Sequence, residues 1–135
     1  TNELVTLAAI ESITRRSPDF IFVYLGWVDE QGHATGWLSD EYMRSVRVSW
    51  DEIARLSEAA LCRGYNVFVT ADHGGHSRSH GSDMDEDMLI PLFIRGEGIA
   101  PGTLPEGTSI MDIAPTIVRL LGAQPAREWE GKPLI

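Results

Sequence analysis

The sequence has a single cysteine, Cys62, among its 135 residues, so it holds no internal disulfide and no cysteine-rich zinc site. Cys62 falls near the end of a predicted helix and is expected to act as a small buried apolar residue. Cations are scarce. Eleven Lys and Arg against 20 Asp and Glu leave a net charge of −9, which argues against nucleic acid and anionic membrane surfaces as partners. No apolar run reaches the ~18 residues that would span a bilayer. The opening residues, TNELVTLAAIESITRR, have no basic start, no cleavage site and no initial Met, so they do not read as a signal peptide. A cytoplasmic location is the expectation. Repeats, low-complexity tracts and internal linkers are absent, and the length suits one domain.

Histidine is also sparse, and its placement is the main signal. Of the four histidines, three lie in TADHGGHSRSHG, residues 70–81, directly after the apolar run YNVFV. The fourth, His33, follows a second apolar run, FIFVYL at residues 20–25. Asp29 and Asp72 stand at matching places after the two runs. Aspartate and histidine clustered at strand exits are the donor set of a metal site.

The order of elements gives the frame. Leu4, Val5, Leu7, Ala8, Ile10 and Ile13 recur at helical spacing, predicting a helix over 2–16 with Asn2 as its cap. Residues 20–25 read as a strand covered on both faces. Residues 26–39 read as a long polar loop, the kind that is usually functional in a compact domain. Ser39 should cap a helix whose apolar stripe is Val46, Trp50, Ile53, Leu56 and Ala60, ending at Arg63-Gly64. Strands are expected at 65–69 and 89–94, with Pro91 placing the latter at an edge or a strand start. A last helix runs from Met111 or Asp112 to Leu121, and the tail from Ala123 is irregular. Helix, strand, helix, strand, strand, helix predicts an α/β sandwich of helices around a mostly parallel sheet.

In such sheets, ligands collect beyond the carboxyl ends of the strands. If the two histidine-bearing strands are neighbours, about 5 Å apart, their loops pool Asp29, His33, Asp72, His73, His76 and His80. That is more than one tetrahedral shell, which points to two divalent cations, zinc first and manganese second. Two cations about 3.5–4 Å apart form the clamp used on phosphate esters. The acidic run at residues 83–87 is not a calcium loop, because the positions requiring Gly and Glu are Met88 and Ile94. It is expected to be a solvated, mobile lip. Trp27, Trp37 and Trp50 are expected to pack, with Trp27 and Trp37 also able to line a substrate pocket.

These residues resemble a known family. Asp29-Glu30-Gln31-Gly32-His33, then Thr70-Ala71-Asp72-His73-Gly74-Gly75, then His80-Gly81, look like the alkaline phosphatase superfamily. Within it the likeness is to type I phosphodiesterases/nucleotide pyrophosphatases and cofactor-independent phosphoglycerate mutases. Residues 111–117, Leu120-Leu121-Gly122 and residues 130–134 resemble the C-terminal stretch of these enzymes and of sulfatases. The resemblance implies an alkaline-phosphatase-like fold and a metal-dependent phosphoric ester hydrolase acting on a small phosphate ester. Asp29, His33 and His80 would hold one metal, with His76 an outer or substrate-facing group. Asp72 and His73 would contribute to the other, together with an aspartate and a nucleophilic Ser or Thr from the family's N-terminal part. No segment here matches that part. Residues 1–135 therefore read as a single α/β domain, the C-terminal portion of a longer enzyme, inactive alone and without its own catalytic nucleophile. A sulfatase and a non-catalytic metal-binding module are the alternatives.

Overall fold

In the computed structural model, which describes all of residues 1–135, the longest helix starts at the predicted cap. Ser39 Oγ accepts the Tyr42 N–H at 3.2 Å, and Asp40 and Glu41 fill the first turn. That helix is α3, Asp40–Leu61, preceded by α1, Asn2–Arg16, and α2, Trp27–Thr35. Gly64 closes α3 in the left-handed region at φ 79°, where its N–H donates to Leu61 O. Then come β1, Val67–Thr70, a single helical turn α4, Asp85–Met88, and β2, Leu92–Arg95. A short 3-10 turn, Ile110–Asp112, leads into α5, Ile113–Leu120. No helix is long and apolar enough to cross a membrane.

The chain divides into two units, Thr1–Glu97 and Gly98–Ile135. In the first, α1 and α2 both pack on α3, which also touches β1. Thr6, Ala9 and Ile13 of α1 are buried, as are Ser45, Ser49 and Ala60 of α3. Small side chains at most of these positions let the two helix backbones approach closely, and Asn2 Nδ2 donates to Ser49 Oγ at 2.9 Å. The helix expected over 2–16 forms, but most of its apolar residues do not make its packing face. Leu4 is 66% exposed and Leu7 45% exposed, because the helix turns its Thr6–Ala9–Ile13 stripe inward instead. Asn2 lies inside α1 as a tether to α3, and the cap position is Thr1. Cys62 is exposed at the end of α3, not buried. Trp50 packs, as expected, edge-on against Phe93 with ring centroids 5.5 Å apart, though it stays 48% exposed.

The sheet differs most from expectation. The fold is α/β, but β1 and β2 pair antiparallel, Val67 opposite Arg95 and Thr70 opposite Leu92. The mostly parallel sheet expected from the element order is not what these strands form. A parallel pair needs a crossover, usually a helix of several turns. Between β1 and β2 the chain has only the one-turn α4, so it doubles back. Residues 20–25 form no strand and lie in no ladder. Their exposure alternates: Phe20, Phe22 and Tyr24 face solvent, while Ile21, Val23 and Leu25 are half covered. A run that reads as buried on both faces is covered here on one. The expected loop at 26–39 contains α2, and the expected acidic lip contains α4 with a buried Asp87.

In the second unit Asp112 is the organiser. Its side chain accepts the Ser109 N–H at 2.8 Å, closing a capping box, and the Lys132 N–H at 2.7 Å. These donors hold its carboxyl below the usual range, the Lys132 N–H most strongly. Buried Thr116 accepts the Leu134 N–H at 3.0 Å. The tail is irregular, as expected, yet clamped at two points, Asp112 of the 3-10 turn and Thr116 of α5.

Two truncations test the inward face of α1. Ile13→Ala should cost about 2–5 kcal/mol in urea unfolding, and Leu4→Ala should stay within about 0.5 kcal/mol. The opposite ranking would restore the apolar stripe as the packing face.

Candidate metal centre

Helix α2 places Asp29 and His33 one turn apart on one face, so that His33 Nε2 stands 3.5 Å from Asp29 Oδ1. Gly32 interrupts the apolar pattern here, which hid the helix from periodicity. The i, i+4 spacing of Asp29 and His33 was the signal available. β1 delivers Asp72 and His73 just past Thr70, whose hydroxyl donates to Pro91 O at 2.8 Å. His73 Nε2 lies 3.8 Å from Asp29 Oδ1 and 3.8 Å from Asp72 Oδ1.

The chain then turns back. Gly74 and Gly75 N–H donate at 2.7 Å to Asp87 O and Glu86 O of α4. A Cβ on Gly74 would sit 2.0 Å from Glu86 O, so only glycine allows this approach. His76 and Ser79 exchange backbone hydrogen bonds at 3.0 and 2.9 Å, forming a tight turn that brings His80 round. His80 Nε2 arrives 3.8 Å from Asp29 Oδ1, and its ring stacks on His73 with centroids 3.7 Å apart. Asp29 Oδ1 is thus the meeting point of His33, His73 and His80, and donor atoms of Asp29, His73 and His80 all lie within 4.8 Å of one another. His76 points elsewhere. Asp72 stands at the rim, its side chain 68% exposed.

Two features suit this cluster to holding a cation. Asp29 Oδ1 is buried and has no hydrogen-bond partner. A buried carboxylate oxygen left unpaired is costly, and a cation among the facing nitrogens would satisfy it. The second feature is tautomeric. His33 Nδ1 lies 3.0 Å from Arg78 O, and His73 Nδ1 lies 2.7 Å from Gly74 O. A carbonyl only accepts, so each Nδ1 carries the proton and each Nε2 presents a lone pair towards Asp29. Carboxylate and imidazole together suit zinc, manganese or cobalt better than calcium or magnesium.

Around the centre, Tyr42 has its pKa raised by burial and, secondarily, by the charge of Asp29, so its phenol stays protonated. His76 donates through Nδ1 to Asp87 Oδ1 at 2.8 Å, and Ser82 donates to Asp87 Oδ2 from its N–H and hydroxyl at 2.8 and 2.7 Å. These bonds, His76 foremost, hold the Asp87 carboxyl well below the usual range. In the sequence Asp87 belongs to an acidic run expected to be solvated. Its burial could be found only from the fold. An open apolar groove between α3 and the ladder, lined by residues such as Ile53, Leu61, Val69 and Phe93, contains none of the candidate ligands.

The profile of the family described as type I phosphodiesterase / nucleotide pyrophosphatase matches residues 2–91. The chain belongs to that family. It is therefore a member of the alkaline phosphatase superfamily, as the Asp29–His33 and Thr70–Gly81 motifs suggested. Two relatives of this phosphodiesterase-family chain are 2,3-bisphosphoglycerate-independent phosphoglycerate mutases. That of Desulforudis audaxviator is 36% identical over 87% of this chain and 23% of its own length. That of Haloquadratum walsbyi is 32% identical over 97% of this chain and 27% of its own length. The fold matches a phosphoglycerate mutase of Leishmania mexicana, whose crystal structures were determined at low cobalt concentration. The TM-score is 0.72 at 22% identity, covering 97% of this chain and 27% of that one. The chain spans about a quarter of the length of the curated relatives it matches.

Asp87 gives a pH test. A carboxyl held down in the folded chain contributes stability that is present above its unfolded pKa, about 3.9, and is lost as pH falls from there towards the folded value. Asp87→Asn should melt at a lower temperature at neutral pH and lose less between pH 4 and 2 than the wild type. Parallel melting curves across that range would show that the His76–Asp87–Ser82 bonds contribute nothing.

Proposed function

We propose that this chain is the cation-holding C-terminal part of a divalent-metal-dependent enzyme that moves the phosphoryl group of a small phosphate ester. One observation carries the reading. Asp29 Oδ1 is buried without a hydrogen bond and faces Nε2 of three histidines at 3.5–3.8 Å. Family membership and the mutase relatives support phosphoryl chemistry. Hydrolysis and transfer differ in what accepts the phosphoryl group, water or a hydroxyl, and both need the same charge neutralisation.

In this reading Asp29, His33 and His80 hold one cation, zinc or manganese, while Asp72 and His73 contribute to a second. When bound, the cations supply positive charge that offsets the phosphoryl oxygens during transfer. The chain's own residues orient that site. Arg78 O and Gly74 O keep Nδ1 of His33 and His73 protonated, so each Nε2 stays available. Asp87 fixes His76 in the same tautomer and leaves its Nε2 free for a substrate-facing role. Asp72, exposed and with only His73 beside it, is half of a ligand set. Its remaining partners and the nucleophile belong, in this proposal, to the part of the relatives' length that this chain does not span.

Calorimetric titration with zinc, manganese and cobalt tests the centre. About one cation per chain should bind tightly, and Asp29→Ala or His33→Ala should weaken it at least about a hundredfold, because a three-ligand site has no spare. Unchanged affinity in Asp29→Ala would remove the centre. Activity gives a separate readout. The chain alone should turn over p-nitrophenyl phosphate esters little or not at all, and strong turnover that survives a chelator would sink the metal-dependent reading.

A further inference from the structure

Trp37 lies between the two elements that supply every candidate ligand. Its ring stands edge-on to His33, centroids 5.2 Å apart at 89°, and to His80, 5.9 Å apart at 66°. Its backbone N–H donates at 2.7 Å to Ser77 O, in the tight turn that brings His80 round. Two glycines make room for the indole. A Cβ on Gly32, beside His33 in α2, would lie 2.7 Å from the ring, and one on Gly75, in the histidine loop, 2.1 Å from it. No real Cβ comes that close, so α2 and the loop grip the indole from both sides. Leu38, the next residue, is 80% exposed and sits at φ 67°. A leucine in the left-handed region with no packing of its own persists where neighbours impose it. Here the turn from α2 to α3 aims residue 37 inward.

We infer that Trp37 is a positioning residue, a rigid wedge that fixes the distance between α2 and the histidine loop and so holds the His33 and His80 imidazoles ready for the cation. This rests on the metal-centre reading above. A metal site works when its ligands are held to within about 0.5 Å by packing around them, and the indole is the group in contact with two of the ligand rings. It is not part of the α1–α3 core of Thr6, Ala9, Ile13, Ser45 and Ser49. Loss of the ring should therefore be felt at the cation before it is felt in folding.

The experiment is cobalt(II) titration of the 135-residue chain and its variants, followed by calorimetry and by visible absorption, with melting temperatures taken without metal. Trp37→Ala should weaken cobalt binding by about 10- to 100-fold, the range for groups that orient ligands, and should shift the cobalt absorption band. Trp37→Phe, which keeps a flat ring, should stay within about threefold of the wild type on the same scale. Gly75→Ala, which pushes the ring aside, should weaken binding about tenfold, with the same band shift. Wild-type affinity and spectrum in both Trp37→Ala and Gly75→Ala would overturn the inference while leaving the metal centre standing. Should Trp37→Ala fail to fold, Gly75→Ala and Gly32→Ala decide: unchanged affinity and spectrum in both overturn it. No cobalt binding by the unsubstituted chain would overturn the metal centre, and the inference with it.

Discussion

A carboxylate oxygen removed from water needs a partner, and Asp29 Oδ1 has none within the chain. Three imidazole nitrogens stop 3.5–3.8 Å away, too far for hydrogen bonds and well placed to share a cation with it. Much of the first unit can be understood as what this arrangement requires. α2 must be helical for Asp29 and His33 to share a face. The loop after β1 must reverse within a few residues for His73 and His80 to reach the same point. The glycines at 74 and 75 are where that reversal presses hardest on α4 and on the Trp37 ring.

The histidines also divide by what holds their Nδ1 atoms. His33 and His73 are fixed by backbone carbonyls, which carry no net charge. His76 is fixed by a buried carboxylate, Asp87, 2.8 Å from its Nδ1. Three of the four histidines therefore divide between two kinds of Nδ1 neighbour, and the difference is set by backbone placement rather than by residue type.

The clustering of Asp29, His33, His73 and His80 was more legible than the sheet. Polar residues after apolar runs are unusual and their spacing is local, so the sequence brings them to notice without the fold. The Ser39 cap and the Gly64 stop were legible for the same reason, since each acts through atoms a few residues away. What failed depended on distant partners. FIFVYL reads as a doubly covered strand, but coverage is set by what packs on it, and here one side is open. The inward face of α1 could not be read from its apolar spacing, because Thr6 and Ala9 are buried there in place of the larger Leu4 and Leu7. Asp87 looked like solvated charge until the loop folded over it.

The open side of residues 20–25 bears on how the protein behaves in solution. Phe20, Phe22 and Tyr24 stand exposed at every second position of a segment that has no ladder on it, apolar surface that invites association between copies. What opposes such association is the net charge of −9, a long-range repulsion that added salt screens within about 10 Å at 0.1 M. Colloidal stability should thus fall as ionic strength rises. Dilute, low-salt buffers are where single copies of the chain would persist longest.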